Sequence, residues 1–293
     1  MIKIFLTGGN GFIGRNILER LGSKYEFICP SHKELELTDA EAVESFFKKH
    51  SIDLVVHSAN SGGSRKEVNL ADVLPTNLKI FLNLHSCQKY FGRMIFFGSG
   101  AEYDKRRDIA GIRENQFGEN VPIDEYGFYK YTCSRIIEKS KNITNLRIFG
   151  IFGKYEDYEV RFISNAICKT LFNLPITLNQ NVFFDYVFIN DFVKIVEHFI
   201  LNKPKQKFYN IGTGNKIDLL SLAGIVKSRG NKDISIGVKN SGLNKEYTCD
   251  NSALMQEIPK LQFTDIKDAV GELYSWYESI KDSLNKEKLY FDK

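Results

Sequence analysis

Three polar residues in the middle of the chain have the types and spacing needed to transfer a proton to or from an oxygen atom. Tyr126 and Lys130 are four residues apart, so in a helix they would project from one face. A phenol with a pKa of about 10 is a poor proton donor or acceptor near neutral pH, and a neighbouring ammonium lowers that pKa. Ser99 follows a predicted strand, and its hydroxyl could bond the same oxygen. Each feature has an ordinary alternative, because Ser99 could be a turn residue and the Tyr–Lys pair a solvated helix face.

A glycine-rich segment near the start of the chain, Thr7–Gly14, could hold a phosphate. It follows an apolar stretch over residues 2–6 that predicts a strand, and it leads into apolar residues at helical spacing. The first N–H groups of a helix lack partners and carry a positive dipole, so they bind phosphate. The GxxGxxG spacing is a variant of the GxGxxG dinucleotide fingerprint, although an ordinary strand–helix turn remains the alternative. The predicted cofactor contacts are Gly8, Gly11, Phe12, Ile13 and Gly14.

The end of the second predicted strand, residues 25–29, bears on which dinucleotide would bind. In a dinucleotide fold an acid at this place hydrogen-bonds the ribose 2′-OH of NAD, whereas basic residues accommodate the 2′-phosphate of NADP. No acid occupies the strand end, and Ser31 and Lys33 supply a hydroxyl and a positive charge. These residues favour NADP(H), and the nearby Glu34 keeps NAD(H) as an alternative.

The elements that would position these residues alternate between strands and helices. Strands are predicted over 2–6, 25–29, 52–57, 93–97 and 144–149, and helices over 12–21, 39–50, 70–90 and 126–139. This alternation predicts an α/β fold with a doubly wound parallel sheet. We expect Thr38 to cap the second helix, and Pro75 to kink the third helix or delay its start.

Ligands in open α/β sheets bind at the carboxyl ends of the strands, which draws attention to the loop over residues 58–64. Ser58, Ala59 and Asn60 in this loop are predicted to contact the cofactor. His57 ends the strand before it. We expect His57 to be packed and hydrogen-bonded rather than catalytic.

Beyond Gly153 the alternation loosens. Helices are predicted over 160–171, 190–201, 219–226 and from 265, strands over 183–189 and 207–211, and a polar excursion over 104–120. Residues 1–153 are therefore predicted to form the dinucleotide-binding domain, with a strand and helix around 182–212 returning to it. Residues 154–293 are predicted to form mainly a smaller, interleaved substrate-binding lobe.

Composition excludes several other classes of protein. The 293 residues are 43% hydrophobic and 26% charged with a net charge of +4, which gives no support to nucleic-acid binding. No apolar run reaches the ~18 residues of a membrane span, and the first is too short for a signal peptide. The five cysteines lack CxxC pairing, so we expect reduced core residues, a cytoplasmic protein and no metal site.

Together these motifs resemble the extended short-chain dehydrogenase/reductase family of nucleotide-sugar epimerases, dehydratases and reductases, over nearly the whole chain. Thr7–Gly14 fits the cofactor loop of that family, and Tyr126 with Lys130 fits its Tyr-x-x-x-Lys pair. Ser99 precedes Tyr103 by four residues, as the catalytic Ser or Thr of the family precedes a characteristic Tyr. Segments 184–191 and 209–214 also match.

The resemblance implies roles for these residues. Ser99, Tyr126 and Lys130 would be catalytic, and Lys130 would also bond the nicotinamide ribose. Asn77, where the family has an Asn at the start of a long helix, and Asp39 are added to the predicted cofactor contacts. The family pairs two long helices of each subunit, so a homodimer through 70–90 and 126–139 is expected.

Within the family, residues 34–39, 62–63 and 97–99 are most similar to nucleotide-sugar 4-ketoreductases of the GDP-fucose synthase type. The 4,6-dehydratases carry an Asp–Glu pair directly after the catalytic Thr, where this chain has Gly100 and Ala101. Dehydration is therefore not expected. GDP-fucose synthases add a Cys at the position of Ala101 and a downstream His for epimerisation, yet this chain has no His between His85 and His198. Reduction needs neither residue.

The implied reaction is NAD(P)H-dependent reduction of the C4 keto group of a nucleoside-diphosphate 4-keto-6-deoxyhexose, for surface polysaccharide. Two alternatives are a nucleotide-sugar 4-epimerase with tightly bound NAD, and a non-catalytic cofactor-sensing protein of the same fold. The predicted substrate contacts are Gly100, Ala101, Asn165, Lys169, Phe184 and Lys245, with Phe184 at a position where the family has Arg.

Overall fold

The structure, a computed structural model, describes residues 1–62 and 72–290. The strands are β1 (Lys3–Thr7), β2 (Glu26–Ile28), β3 (Ile52–His57), β4 (Phe91–Ser99), β5 (Ile109–Ile112), β6 (Ile143–Ile148), β7 (Gly150–Phe152), β8 (Ile176–Asn181), β9 (Phe183–Phe188), β10 (Phe208–Ile211), β11 (Lys216–Asp218), β12 (Ile236–Leu243) and β13 (Tyr247–Cys249). The helices are α1 (Phe12–Leu21), α2 (Ala40–Lys49), α3 (Val73–Ser86), α4 (Glu125–Lys139), α5 (Phe162–Leu171), α6 (Ile189–Leu201), α7 (Leu219–Gly230), α8 (Ser252–Glu257) and α9 (Ile266–Ser279).

Six parallel strands form the main sheet, in the order β2-β1-β3-β4-β6-β10. The chain leaves β1 toward β2 on one side and returns to β3 on the other, so the winding direction reverses at β1. In such sheets the ligand crevice opens at this reversal, at the carboxyl ends of the two strands. The predicted α/β class with a doubly wound sheet is confirmed.

Both faces of the main sheet are buried. Along β1, Ile4 and Leu6 face a core that includes residues of α1 and α6, while Phe5 faces a second core that includes residues of α2, α3 and α4. All three side chains are fully buried. Burial on both faces explains why the strands read as nearly continuous apolar runs.

The predicted cap of the second helix differs from the structure. Asp39, not Thr38, caps α2, because its carboxylate accepts the N–H groups of Glu41 and Ala42, each at 3.0 Å. Thr38 instead donates its N–H and hydroxyl to Glu36.

The helix predicted over 70–90 is shorter in the structure, since α3 ends at Ser86. It begins at Val73, which puts Pro75 in the first turn, where a missing N–H breaks no intrahelical bond. This late start is one of the two effects expected of Pro75. The predicted start at residue 70, and Gly63 and Ser64 of the predicted ligand loop, lie outside the described residues.

The second half of the chain adds smaller sheets. One has the order β11-β9-β13-β5, β7 pairs with β9, and β8 pairs with β12. The strand β5 lies inside the stretch predicted as a polar excursion, and β7, β8, β11, β12 and β13 were not predicted. The strand β12 is exposed along nearly its whole length and β13 has only three residues, so neither has a clear hydrophobic alternation. The pairing of β13 with β5 joins the second half of the chain to the region after β4.

All five cysteines are free thiols, four buried and Cys29 half-buried, as expected for core residues. Over residues 1–62 and 72–290, no helix combines the length and apolar character needed to cross a membrane. The same residues contain no cluster of His, Cys, Asp and Glu suited to a metal ion.

Candidate active site

The glycine turn after β1 is shaped by contacts that leave no room for side chains. Gly8 has a φ of +70°, and a Cβ there would lie 2.8 Å from the backbone of Ala59. A Cβ at Gly14 would lie 2.2 Å from the carbonyl oxygen of Gly8. The turn is closed by the N–H of Gly11, which donates to Gly8 at 3.0 Å. Gly8 therefore makes the tight turn and Gly14 allows α1 to pack closely on it.

This turn fits the pyrophosphate of a dinucleotide. The N-cap of α1 is Gly11, which has no side chain to satisfy the first N–H groups of the helix. Those groups, including the N–H groups of Phe12 and Ile13, begin the helix at the carboxyl edge of β1. A helix start free of a side-chain cap, beside glycines where a Cβ would collide, suits a close-approaching anion.

The loop after β3 is held against the glycine turn. Thr7 Oγ1 accepts the N–H groups of Ser58 at 3.2 Å and Ala59 at 3.0 Å. Asn77 on α3 fixes the far end of the loop, because its side chain both accepts from and donates to the backbone of Ser61, at 2.7 and 2.6 Å. The predicted cofactor residues Ser58 and Ala59 are thus held beside the glycine turn, and Asn77 fixes the loop that they begin. Their contacts with a cofactor stay predictions.

His57 is packed and hydrogen-bonded, as predicted. Its ring is 2% exposed, and Nδ1 lies 2.8 Å from Thr7 Oγ1. Burial, with the nearby charge of Lys130, lowers the pKa of His57 to about 3, so the ring is neutral near pH 7.

The turn after β2 carries both an acidic and a basic side chain, Glu34 and Lys33. The N–H and hydroxyl of Ser31 donate to the Glu34 carboxylate at 2.7 and 2.8 Å, and these bonds lower the pKa of Glu34. Lys33 beside it is exposed. A carboxylate that could accept a ribose hydroxyl therefore stands next to a lysine that could meet a 2′-phosphate.

Ser99, the last residue of β4, is 7% exposed and begins a short 3-10 helix over Gly100–Tyr103. Its hydroxyl oxygen accepts the N–H of Ala101 at 3.1 Å, and its N–H donates to Glu102 at 3.1 Å. This reciprocal capping fixes Ser99 at the carboxyl edge of the sheet.

Glu102 belongs to a buried polar network. It accepts the Nε–H of Arg147 at 2.6 Å, and neither side chain is more than 1% exposed. Ser134 and Asn145 also donate to the carboxylate. The Glu102 carboxylate is therefore fully used in hydrogen bonds to buried groups, and one of these bonds holds the backbone N–H of Ser99.

Tyr126 and Lys130 lie in α4, whose N-terminus is capped by Asp124 through the N–H of Gly127 at 2.9 Å. Tyr126 hydrogen-bonds Ser99. Burial raises the pKa of Tyr126, and the bond to Ser99 and the charge of Arg161 oppose that rise. The ammonium of Lys130 is 5.8 Å from the centre of the Tyr126 ring. The fold thus brings the three predicted catalytic side chains together.

Lys130 carries its charge in an apolar setting. It is 5% exposed, its Nζ donates to the carbonyl of Phe97 at 2.6 Å, and the ring of Phe96 lies 4.6 Å away. Among the described residues no carboxylate forms a salt bridge with it. Burial lowers the pKa of Lys130 from 10.5 to about 8.

Replacing this lysine should stabilise the protein. Lys130→Met keeps the length of the side chain and removes the desolvated charge, so the free energy of unfolding at pH 7 should rise by about 1–3 kcal/mol. The folded pKa is lower than the unfolded one, so the cost of the charge is full below pH 8 and vanishes as the pH approaches 10.5. Urea unfolding at pH 7 and pH 9.5 should show the advantage of the variant shrinking with pH. A less stable variant, or a difference independent of pH, would contradict this assignment.

The space that a dehydratase acid would need beside Ser99 is already filled. A Cβ at Gly100 would lie 2.7 Å from the hydroxyl of Tyr247 and 2.8 Å from the ring of Phe149. An Asp at position 100 would collide with both side chains. Tyr247 also hydrogen-bonds Ser99 and was missed by sequence reasoning, because it lies in the unpredicted strand β13.

The predicted substrate contacts are divided between the site and the surrounding lobe. Phe184 lies at the site, with its ring 5.8 Å from that of Tyr247. Lys169 is buried and donates to Thr177 at 2.7 Å. Asn165 donates to the carbonyl of Tyr158 at 3.0 Å, and Lys245 donates to the carbonyl of Arg106. The substrate roles of all four of these residues, and of Gly100 and Ala101, stay predictions.

A parallel sheet with a glycine turn that fits a dinucleotide, and a Ser–Tyr–Lys set at the same edge, defines a Rossmann-type protein of the extended short-chain dehydrogenase/reductase class. Residues 4–212 match the NAD dependent epimerase/dehydratase family, and the chain belongs to that family. Its members modify nucleotide sugars as NAD(P)-dependent epimerases and reductases.

Three relatives illustrate the similarity. GDP-L-colitose synthase of Yersinia pseudotuberculosis is 22% identical over 96% of this chain and 100% of its own length. The crystal structure of a GDP-L-fucose synthetase from Naegleria fowleri bound to NADP has a TM-score of 0.85 at 17% identity, covering 97% of this chain and 95% of that one. UDP-glucose 4-epimerase of Thermotoga maritima has a TM-score of 0.82 at 20% identity, covering 95% and 99%. The structural likenesses establish the fold.

Proposed function

We propose that the protein reduces the C4 keto group of a nucleoside-diphosphate 4-keto-6-deoxyhexose with NAD(P)H, in deoxysugar synthesis for surface polysaccharide. The observation that carries this proposal is which side chains are present at the site and which are absent from it. Ser99, Tyr126 and Lys130 converge at one sheet edge, while Glu102 is buried against Arg147 and position 100 has no room for an acid. Groups for carbonyl reduction are present, and the acid–base pair for dehydration is absent from positions 100 and 101.

Each residue has a defined task in this reaction. A bound nicotinamide cofactor supplies the hydride to C4. Tyr126 gives its proton to the C4 oxygen, and Ser99 bonds and polarises the same carbonyl. Lys130 favours the phenolate left on Tyr126 and bonds the nicotinamide ribose. Holding carbonyl, proton donor and hydride donor in one geometry is the main catalytic contribution.

We infer that NADP(H) is favoured and NAD(H) possible, because Ser31 and Lys33 stand with Glu34 in the turn after β2.

We also infer a cytoplasmic homodimer. The five free thiols fit a reducing compartment. Leu82 on α3 and Phe128 on α4 are about 40% exposed, which suits a helix-pair interface between subunits.

A substrate panel tests the proposal. Purified protein is offered 4-keto-6-deoxy sugars carried on GDP, dTDP, UDP and CDP, each with NADPH or NADH, while absorbance at 340 nm is followed. We expect oxidation of NADPH in step with product for at least one sugar nucleotide, and a lower KM for NADPH than for NADH. Protein that binds the cofactor but oxidises it with no member of the panel would contradict the proposal.

A 4-epimerase is the second candidate, favoured by the likeness to UDP-glucose 4-epimerase and by the carboxylate of Glu34 at the ribose position. Oxidised NAD that co-purifies, with activity that needs no added cofactor, would select it. Cofactor binding without any turnover would select the cofactor-sensing alternative, against which the Tyr126–Lys130 pair argues.

A further inference from the structure

Tyr247 reaches the candidate active site from the second half of the chain. It begins β13, where it pairs with Ile109 of β5 and Phe184 of β9. Its ring lies 5.1 Å from the ring of Phe149 and 5.8 Å from that of Phe184. Backbone pairing and two aromatic neighbours leave the ring little freedom.

The hydroxyl of Tyr247 is directed at the residue that would bond the substrate carbonyl. It hydrogen-bonds Ser99 and passes 2.7 Å from where a Cβ on Gly100 would stand. Only a glycine at position 100 permits this approach. Burial raises the pKa of Tyr247, so its hydroxyl keeps its proton throughout the working pH range and can donate it in a hydrogen bond.

The hydrogen bonds of Ser99 then follow from its donor and acceptor capacity. A serine hydroxyl has one hydrogen and two acceptor sites. The N–H of Ala101 fills one acceptor site at 3.1 Å. The protonated hydroxyl of Tyr247, which is a hydrogen-bond partner of Ser99, can fill the other by donating to it. With Tyr247 as the donor, the single hydrogen of Ser99 is left for the oxygen of Tyr126 or for a substrate oxygen.

We propose that Tyr247 is a positioning residue, which fixes Ser99 as a hydrogen-bond donor, either to the Tyr126 oxygen or to the substrate carbonyl. Without the Tyr247 hydroxyl, Ser99 could accept a hydrogen bond from Tyr126, which would turn the Tyr126 proton away from the carbonyl. With that hydroxyl, the Ser99 hydrogen polarises the carbonyl and then stabilises the phenolate. The effect on turnover rests on the proposed reductase function; the effect on the Ser99–Tyr126 bond does not.

The test compares Tyr247→Phe with Tyr90→Phe. The hydroxyl of Tyr90 bonds Glu44 at 3.0 Å just before β4 begins, at the end of that strand opposite Ser99. With GDP-4-keto-6-deoxymannose and NADPH, Tyr247→Phe should lower kcat about five- to tenfold with little change in either KM, and Tyr90→Phe should change neither. In a Ser99→Ala background, Tyr247→Phe should have no further effect on kcat, because it acts through Ser99. An additive loss in the double variant, or an unchanged kcat in the single variant, would overturn the proposal.

A second readout needs no substrate. In protein labelled with [13Cζ]tyrosine, the Tyr126 resonance is identified by its absence from Tyr126→Phe. We expect it to shift in Tyr247→Phe and in Ser99→Ala, and to stay in place in Tyr90→Phe, with equal melting temperatures excluding unfolding. If the wild type oxidises NADPH with no sugar nucleotide, the reductase function fails while this shift still decides the role of Tyr247. An unmoved Tyr126 resonance in Tyr247→Phe would refute that role.

Discussion

Tyr126→Phe should lower turnover by about 10²–10⁴-fold while leaving the affinity for NADPH nearly unchanged. The phenol of Tyr126 bonds Ser99, and its ring lies 5.8 Å from the Lys130 ammonium, whereas phenylalanine keeps the ring but cannot give a proton. The glycine turn that would hold the cofactor lies on other elements, so its binding should survive. The measurement is kcat with the preferred sugar nucleotide, together with NADPH binding by fluorescence titration.

Tyr129→Phe is the matched control for this loss. Tyr129 lies in the same helix and is fully buried, and within the described residues its hydroxyl has no hydrogen-bond partner. Removing an unpaired buried hydroxyl should leave turnover unchanged and should not destabilise the protein. Wild-type turnover in Tyr126→Phe would remove Tyr126 from the mechanism. Equal losses in both variants would mean that α4 is sensitive to any such change.

Glu102→Gln should lower the free energy of unfolding by about 3–5 kcal/mol, because it leaves the Arg147 guanidinium buried without its counter-charge. The new amide would also direct N–H groups at side chains that already donate to this position, among them Ser134 and Asn145. The single amide oxygen can accept either the N–H of Ser99 or the Nε–H of Arg147, which the two carboxylate oxygens now accept separately. Urea unfolding of the wild type and the variant measures the loss.

Glu138→Gln supplies the comparison on the protein surface. Its partner Arg135 is 54% exposed at a separation of 2.9 Å, so breaking this pair should cost no more than about 1 kcal/mol. Replacing Glu102 and Arg147 together by methionine should recover part of the stability, since it removes both buried charges. A Glu102→Gln protein as stable as the Glu138→Gln protein would show that the buried pair contributes little.

Much of the architecture could be predicted because it depends on local pattern. The apolar runs that became β1, β3 and β4 are buried on both faces, and the glycine turn sits between a clear strand and a clear helix. The predictions were wrong where two neighbouring residues could fill the same role, or where a strand was too short to show a hydrophobic pattern. Thr38 and Asp39 are both good caps, and only the contact of Thr38 with Glu36 decided between them. The short strand β13 has no alternation to detect.

The sequence by itself determined the family and the Ser99–Tyr126–Lys130 set, because residue types and spacing along single elements carry that information. Only the tertiary structure decided what surrounds these residues. It placed the hydroxyl of Tyr247 on Ser99, buried the Lys130 ammonium against Phe96 and the carbonyl of Phe97, and occupied Glu102 with Arg147. Hydrogen-bond partners and desolvation depend on residues distant in the chain, so no local pattern records them. Burial among those contacts lowers the pKa of Lys130, and in our proposal the bond with Tyr247 sets the direction of the Ser99 hydroxyl.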